Sequence, residues 1–120
     1  MKRVVLLKIM ALAFVGVSSV SFADASPADK GPDAVALEKG KVLFTQKAVP
    51  ACAVCHTMAD AGATGAIGPD LDELKPDLAQ VKQAMEQGIG AMPSFAATLS
   101  EDDMNAVAAY VVHATGGGTP

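Results

Sequence analysis

Tryptophan is absent from this sequence, tyrosine occurs once and phenylalanine four times in 120 residues. Arginine occurs only as Arg3. Each shortage excludes something. Cationic side chains are too few for a nucleic-acid partner, because phosphate recognition needs clustered Lys and Arg. No segment alternates apolar and polar residues as a strand would, none repeats, and none suggests a βαβ unit. At 120 residues one domain is the ceiling, so a multidomain enzyme is excluded.

The apolar content, 51% of residues, overstates the core, because 16 apolar residues fall within residues 1–23. That opening segment reads as a secretory signal peptide. Lys2, Arg3 and Lys8 give a positive start, Ile9 to Val20 an apolar stretch, and Ser21-Phe22-Ala23 a small-x-small cleavage site. Cleavage is expected after Ala23, although Ala23-Asp24-Ala25 also permits a cut after Ala25. The apolar stretch is short for a bilayer crossing, which weighs against a retained anchor. The expected mature chain is therefore periplasmic, with no membrane span after cleavage.

Removing residues 1–23 leaves 97 residues, 20 of them alanine, with Phe44, Phe95 and Tyr110 as the only aromatics. Three basic residues leave with the signal, so the formal charge moves from −4 to −7. A domain of this size buries only about two-thirds of its unfolded surface, and chains short of bulky side chains often recruit a metal, disulfides or a cofactor.

Residues 24–32 are small, polar and punctuated by Pro and Gly, and read as a disordered leader. A domain is expected over 33–115 and a flexible tail over 116–120. Pro32 and Asp33 start a helix to about Gln46, with Ala36, Gly40, Leu43 and Phe44 on one face. Gly40 inside that face suggests close approach of another backbone. Residues 59–76 show no sustained period and read as an ordered loop. Asp77 to Gln87 forms a second helix, with Leu78, Val81 and Met85 in register, halted near Gly88. Residues 88–99 are irregular. Ser100 caps a final helix, with Asp103 at the capping-box position and Met104, Val107, Ala108, Val111 and Val112 as its apolar stripe. Gly116 to Gly118 end it. The fold class is all-α, interrupted by two structured loops.

The sharp signal is Cys52-Ala53-Val54-Cys55-His56, a C-x-x-C-H of the type used for c-type haem attachment. Two thiols three positions apart on a helical turn can each bond one vinyl-derived carbon of the porphyrin. The next residue, His56, then offers its imidazole to the iron. Three other chemistries compete for these residues. A thioredoxin-like C-x-x-C needs a βαβ setting and an activating helix start, and the strands are missing. Zinc bound by Cys52, Cys55, His56 and His113 lacks the usual finger spacing, and adjacent Cys55 and His56 seldom both reach one tetrahedral ion. A Cys52–Cys55 disulfide closes too small a loop to stabilise much. Haem c fits best, and an export signal accords with it.

Over roughly residues 34–115 the chain resembles the small class I c-type cytochromes. The resemblance rests on an ordered set: Gly40-Lys-Val-Leu-Phe44, Cys52 to His56, Gly68-Pro69-Asp70-Leu71, Gly90-Ala-Met92-Pro93-Ser-Phe95, and Ala109-Tyr110. It implies the small class I cytochrome c fold, three to four helices around one covalently bound haem. It also implies Met92 as the distal iron ligand and the Pro69 carbonyl as partner of the proximal His ring N–H. Met58, Met85, Met104 and His113 are the alternatives to Met92. Met58 follows the proximal His too closely to reach the other face, Met85 and Met104 lie on apolar stripes, and His113 reads as a surface residue. Gly40 and Phe44 are implied to meet Ala109 and Tyr110 where the first and last helices cross. Leu71 and Phe95 are candidate pocket walls. One departure concerns the haem propionates. With no Trp or Arg and its Tyr assigned to packing, the chain must use lysines such as Lys75, hydroxyls or backbone amides, or leave them solvated.

His/Met ligation fills both axial positions and raises the reduction potential relative to anionic ligand sets. The resemblance therefore implies a one-electron carrier, not an enzyme. Its donor would be a periplasmic dehydrogenase and its acceptor a terminal oxidase or another cytochrome. More narrowly, the segments Pro50 to Thr57 and Gly68 to Leu71 resemble cytochromes that accept electrons from periplasmic sulfite dehydrogenases. The haem edge is expected beside Ala53, Val54, Ile67 and Ala91, with partners offering a basic face. The alternatives are a permanently bound cytochrome subunit of a dehydrogenase complex, and a haem protein binding peroxide or a gas. The latter lacks a distal His or Arg to assist it.

Overall fold

Asp33 opens the first helix in the manner its side chain favours: its carboxylate accepts the Val35 N–H at 3.2 Å. The computed structural model describes residues 33–118. The expected signal peptide (1–23) and leader (24–32), and residues 119–120 of the expected tail, lie outside the described residues. Helix α1 spans Ala34–Val42. The single helix expected to residue 46 changes pitch, because Leu43–Lys47 wind as a π-helical turn closed by Ala48 N–H on Leu43 O at 3.0 Å. Thr45 Oγ1 donates back to Lys41 O at 2.8 Å. Such back-bonding competes with the backbone ladder and bends helices. The wider turn buries both Leu43 and Phe44.

The last helix, α5 (Glu101–Thr115), carries the expected capping box, with Ser100 Oγ accepting Asp103 N–H and the Asp103 carboxylate accepting Ser100 N–H. It ends at Gly116 in the left-handed conformation. Its buried face is Met104, Val107, Ala108 and Val111, joined by Ala106 and Tyr110; Val112 is half-buried.

Helix α1 makes its most extensive packing against α5. At the crossing a Cβ on Gly40 would lie 2.6 Å from Tyr110 Cβ and would run into the carbonyl of Ala106. The glycine is thus a contact point between backbones. Its small partner is Ala106, one turn before Tyr110, and not Ala109, which is only half-buried. Phe44 meets the Tyr110 ring edge-on, with centroids 6.0 Å apart.

Three elements are tied together beside this crossing. Tyr110 O–H donates to Asp60 Oδ2 at 2.6 Å, and Lys41 Nζ donates to Asp60 O at 2.8 Å and Oδ2 at 3.1 Å. Asp60 lies in a 3₁₀ turn, Ala59–Ala61. That turn links β1 (Thr57–Met58) to β2 (Ala63–Thr64), an antiparallel pair with Met58 opposite Ala63. The loop and strand-free reading of residues 59–76 is therefore corrected. Strands of two residues are too short to show any period.

Two single-turn helices complete the middle of the chain: α2 (Cys52–Cys55) and α3 (Leu71–Leu74), the latter capped by Asp70. Asp72 Oδ2 accepts Ala59 N–H at 2.7 Å and moors α3 to the 3₁₀ turn. Helix α4 (Leu78–Gln87) starts at Asp77, which forms a capping box with Gln80. Met85 of its register stripe is buried, Val81 half-buried and Leu78 half exposed. The all-α expectation holds, with three α-helices longer than two turns, two single α-helical turns and one minimal strand pair among the described residues. Among the described residues, no helix is long and apolar enough to cross a membrane.

Alanine at position 40 should gain about 1 kcal/mol of helix propensity. Forcing a methyl into a packed backbone crossing costs about 1–3 kcal/mol, and here the obstacle is a carbonyl that cannot rotate away. With a rigid backbone oxygen in the way the cost lies at the upper end of that range, and Gly40→Ala is expected to destabilise by about 2 kcal/mol net in chemical denaturation. A neutral or positive result would refute the backbone contact.

The Tyr110–Asp60 bond gives a second expectation. Burial, then the Asp60 carboxylate, push the Tyr110 phenol above its usual range. The Tyr110 bond, then Lys41, hold the Asp60 carboxyl below the usual carboxylate range. The tyrosine contribution is present below about pH 10 and fades as pH rises through the folded value; the aspartate contribution is present above about pH 4 and fades as pH falls. Asp60 is half-exposed, so Tyr110→Phe should cost only about 1 kcal/mol at pH 7. The same variant should lose stability less steeply than the parent at both pH extremes. Identical pH–stability curves would count against this linkage.

Candidate functional site

A cavity of about 430 Å³ opens between α2, α3, α4, α5 and the loop after α4. Its wall is almost entirely apolar. Phe44 from the π turn, Leu71 from α3, Val81 and Met85 from α4, and Val107 and Val111 from α5 form much of it. Cavities of this size and lining hold small organic molecules or cofactors.

The seven residues singled out from sequence meet here. Cys52, Cys55, His56, Pro69, Leu71, Met92 and Phe95 all line the cavity. The two cysteines sit at the ends of α2, both free and half-buried, and His56 follows as its C-cap residue. Burial pushes the Cys52 thiol up to about 11. A thiol of that kind stays protonated at neutral pH, the opposite of the low-pKa thiolate on which thioredoxin-like chemistry depends. Zinc fares no better. Among the described residues no three His, Cys, Asp or Glu side chains are grouped to hold a metal ion, and His113 faces solvent.

The His56 ring is fixed from one side. Its Nδ1 lies 2.8 Å from Pro69 O. A carbonyl can only accept, so Nδ1 carries the proton and Nε2 keeps its lone pair for a ligand. Gly68 lets the ring sit there: a Cβ on residue 68 would lie 2.5 Å from His56 Cε1 and 2.8 Å from Nδ1. Gly68 N–H in turn donates to Cys55 O at 2.8 Å, and Ile67 N–H to the same oxygen at 3.1 Å. The segment 67–69 is thus pinned to the end of α2 and delivers the carbonyl to the ring. Sequence reading took Gly68 as part of a motif and gave it no role. Its signal was a glycine directly before the proline, and its meaning needed the direction of the absent Cβ.

Met92 reaches the cavity from a tight turn. Ile89 N–H donates to Met92 O at 3.1 Å and Met92 N–H to Ile89 O at 3.0 Å. Phe95, buried two residues beyond Pro93, donates its N–H to Met85 O at 2.7 Å. Of the alternatives to Met92, Met58 is wholly buried off the cavity wall, Met104 is buried in α5, and Met85 lines the wall from α4. Lys75 does not line the cavity, although its neighbours Leu74 and Pro76 do. Gln80 is on the wall and was not singled out from sequence; it looked like an ordinary first-turn residue.

On the cavity wall, Ile67, Leu74 and Ile89 are 57–70% exposed. Ile67 was expected there, whereas Leu74 and Ile89 were not; Val54 is 60% exposed but does not line the cavity. Ala91 lines the cavity and Ala53 is half-buried.

Residues 35–111 match the family described as cytochrome c oxidase, cbb3-type, subunit III. The chain belongs to the c-type cytochromes. Cytochrome c6 from Tetradesmus obliquus is 37% identical over 70 residues, covering 50% of this chain and 74% of the relative. The c-type cytochrome SorU from Sinorhizobium meliloti has a similar structure, with 44% identity and a TM-score of 0.67, covering 71% of this chain and 97% of SorU. The architecture is the small class I cytochrome c fold. This cytochrome is an electron-transfer protein, not an enzyme, and its cofactor is haem c. The cavity fits that group: a large apolar body is missing from the protein side, two thiols stand on one wall, and one imidazole nitrogen is free beside them.

Replacing Gly68 should displace the His56 ring from Pro69 O. Gly68→Ala is expected to shift the midpoint potential of the haem-loaded cytochrome and to move the NMR resonance of the His56 ring N–H. An unchanged resonance would show that the ring does not depend on the space at residue 68.

Proposed function

We propose that this cytochrome is a periplasmic carrier of single electrons in which Cys52 and Cys55 attach the haem and His56 and Met92 ligate its iron. When bound, haem c supplies a ferric/ferrous couple that changes by one electron. The chain's own residues set the conditions. Pro69 O holds the His56 tautomer and orientation, which tunes ligand basicity. Leu71, Phe95, Val107 and Val111 exclude water from the pocket. A low-dielectric pocket with neutral His and Met donors favours the ferrous state, and so a raised potential. The observation that carries this reading is the convergence of the two thiols, a tautomer-fixed imidazole and a thioether on one apolar cavity.

The functional unit is residues 33–115, following an export signal over 1–23 and a leader over 24–32. The donor is a periplasmic dehydrogenase and the acceptor a terminal oxidase or a second cytochrome. Sulfite dehydrogenase is the particular donor favoured, on the likeness of residues 50–57 and 68–71 to the cytochromes that serve such enzymes. The exposed aliphatic side chains at the mouth suit brief docking through a small interface. An acidic balance of 13 carboxylates against few lysines adds attraction to a basic partner face.

Mixing the oxidised cytochrome with sulfite and sulfite dehydrogenase, and timing reduction by visible absorption, tests the donor. Reduction should be rapid at low salt and slow several-fold as ionic strength rises past about 0.1 M. No reduction by that enzyme, with ready reduction by another dehydrogenase, would remove sulfite dehydrogenase and leave the carrier. A salt-independent rate would remove the electrostatic part.

A further inference from the structure

A helix leaves its last carbonyls without N–H partners, and something must satisfy them. At the end of α4, Gly88 N–H takes Ala84 O at 2.9 Å and Phe95 N–H takes Met85 O at 2.7 Å. Ser94 Oγ donates to Glu86 O at 2.6 Å and accepts Ala96 N–H at 3.3 Å. The chain that leaves α4 therefore turns through residues 89–92 and comes back to cap the helix it left. The paired bonds between Ile89 and Met92 close the turn on itself but do not attach it to the helix. Attachment comes from Phe95 and Ser94. Phe95 is anchored by its own burial, so the Ser94 hydroxyl is the last tether before the turn that carries Met92.

We propose that Ser94 is a positioning residue for the distal ligand: its bond to Glu86 O keeps the 88–94 loop folded onto α4, so that Met92 stays on the iron and outside ligands are kept off. The inference rests on Met92 being that ligand. An outside base can bind only when the loop has opened, and opening must break the Ser94 tether. Weakening the tether raises the open fraction and, in proportion, the apparent affinity for the outside base.

Imidazole titration of the ferric haem-loaded cytochrome, followed by visible absorption, reads that fraction. Ser94→Ala should bind imidazole about five-fold more tightly than the parent, the amount expected for one net hydrogen bond. Ser94→Thr, which keeps the hydroxyl, should bind it as the parent does. Met92→Ala should bind it far more tightly than either, and adding Ser94→Ala to that variant should change nothing further. If Met92→Ala binds imidazole no better than the parent, the ligand assignment fails and the proposal with it. If Met92→Ala opens the site but Ser94→Ala matches the parent, the tether alone is refuted. Thermal unfolding separates the remaining case: a lower midpoint for Ser94→Ala with unchanged imidazole affinity makes the bond merely structural.

Discussion

The bond between His56 Nδ1 and Pro69 O, 2.8 Å long, is the constraint around which the site is arranged. It requires a carbonyl at a fixed place beside the ring, so residues 67–69 must be pinned, and they are pinned to Cys55 O. It requires space, so residue 68 must lack a side chain. It also requires that α2 hold still, and α2 is a single turn that could not persist alone. Its stability is borrowed from the strand pair behind it and from the α1–α5 crossing to which that pair is tied by Asp60, Lys41 and Tyr110. A polar contact of ordinary strength thus depends on most of the domain for its geometry.

The same economy explains the composition. Among the described residues the largest fully buried side chains are Phe44, Met58, Met85, Val107 and Val111. Four of these five also line the cavity. The protein does not build a core and then hollow a site from it. Core and cavity wall share Phe44, Leu71, Met85, Phe95, Val107 and Val111, so bound haem would pack directly on the core. A packed interior of normal density is reached only with the macrocycle in place.

That sharing of residues between core and wall also sets what could be read from sequence. The C-x-x-C-H motif and the end helices with their caps were legible because each follows from residue type at short range, whereas Pro69, Leu71, Met92 and Phe95 came only with the resemblance to class I c-type cytochromes. Ser100 and Asp103, or Asp77 beside an apolar run, state a helix start locally. Val81, Val107 and Val111 were seen only as helix stripes, because periodicity cannot distinguish a face that meets protein from one that meets a cofactor. The π turn at Leu43–Lys47 depends on Thr45 reaching back to Lys41 and on Phe44 finding Tyr110, a tertiary matter. The strand pair is two residues long, below the reach of any pattern. The resemblance named Ala109 beside Tyr110, whereas the backbone against Gly40 is that of Ala106, one turn earlier.

The α1–α5 crossing has an entropic consequence. Gly40 and Ala106 touch across most of the domain's sequence, and bringing such distant residues together imposes a loop-closure entropy that must be met before the contact returns anything. On the proposed attachment at Cys52 and Cys55 and ligation by His56 and Met92, the bound group would divide that one long loop into shorter segments. Attachment of the macrocycle would then do more than complete the interior: it would lower the closure entropy of the crossing of first and last helices by making it a shorter-range step.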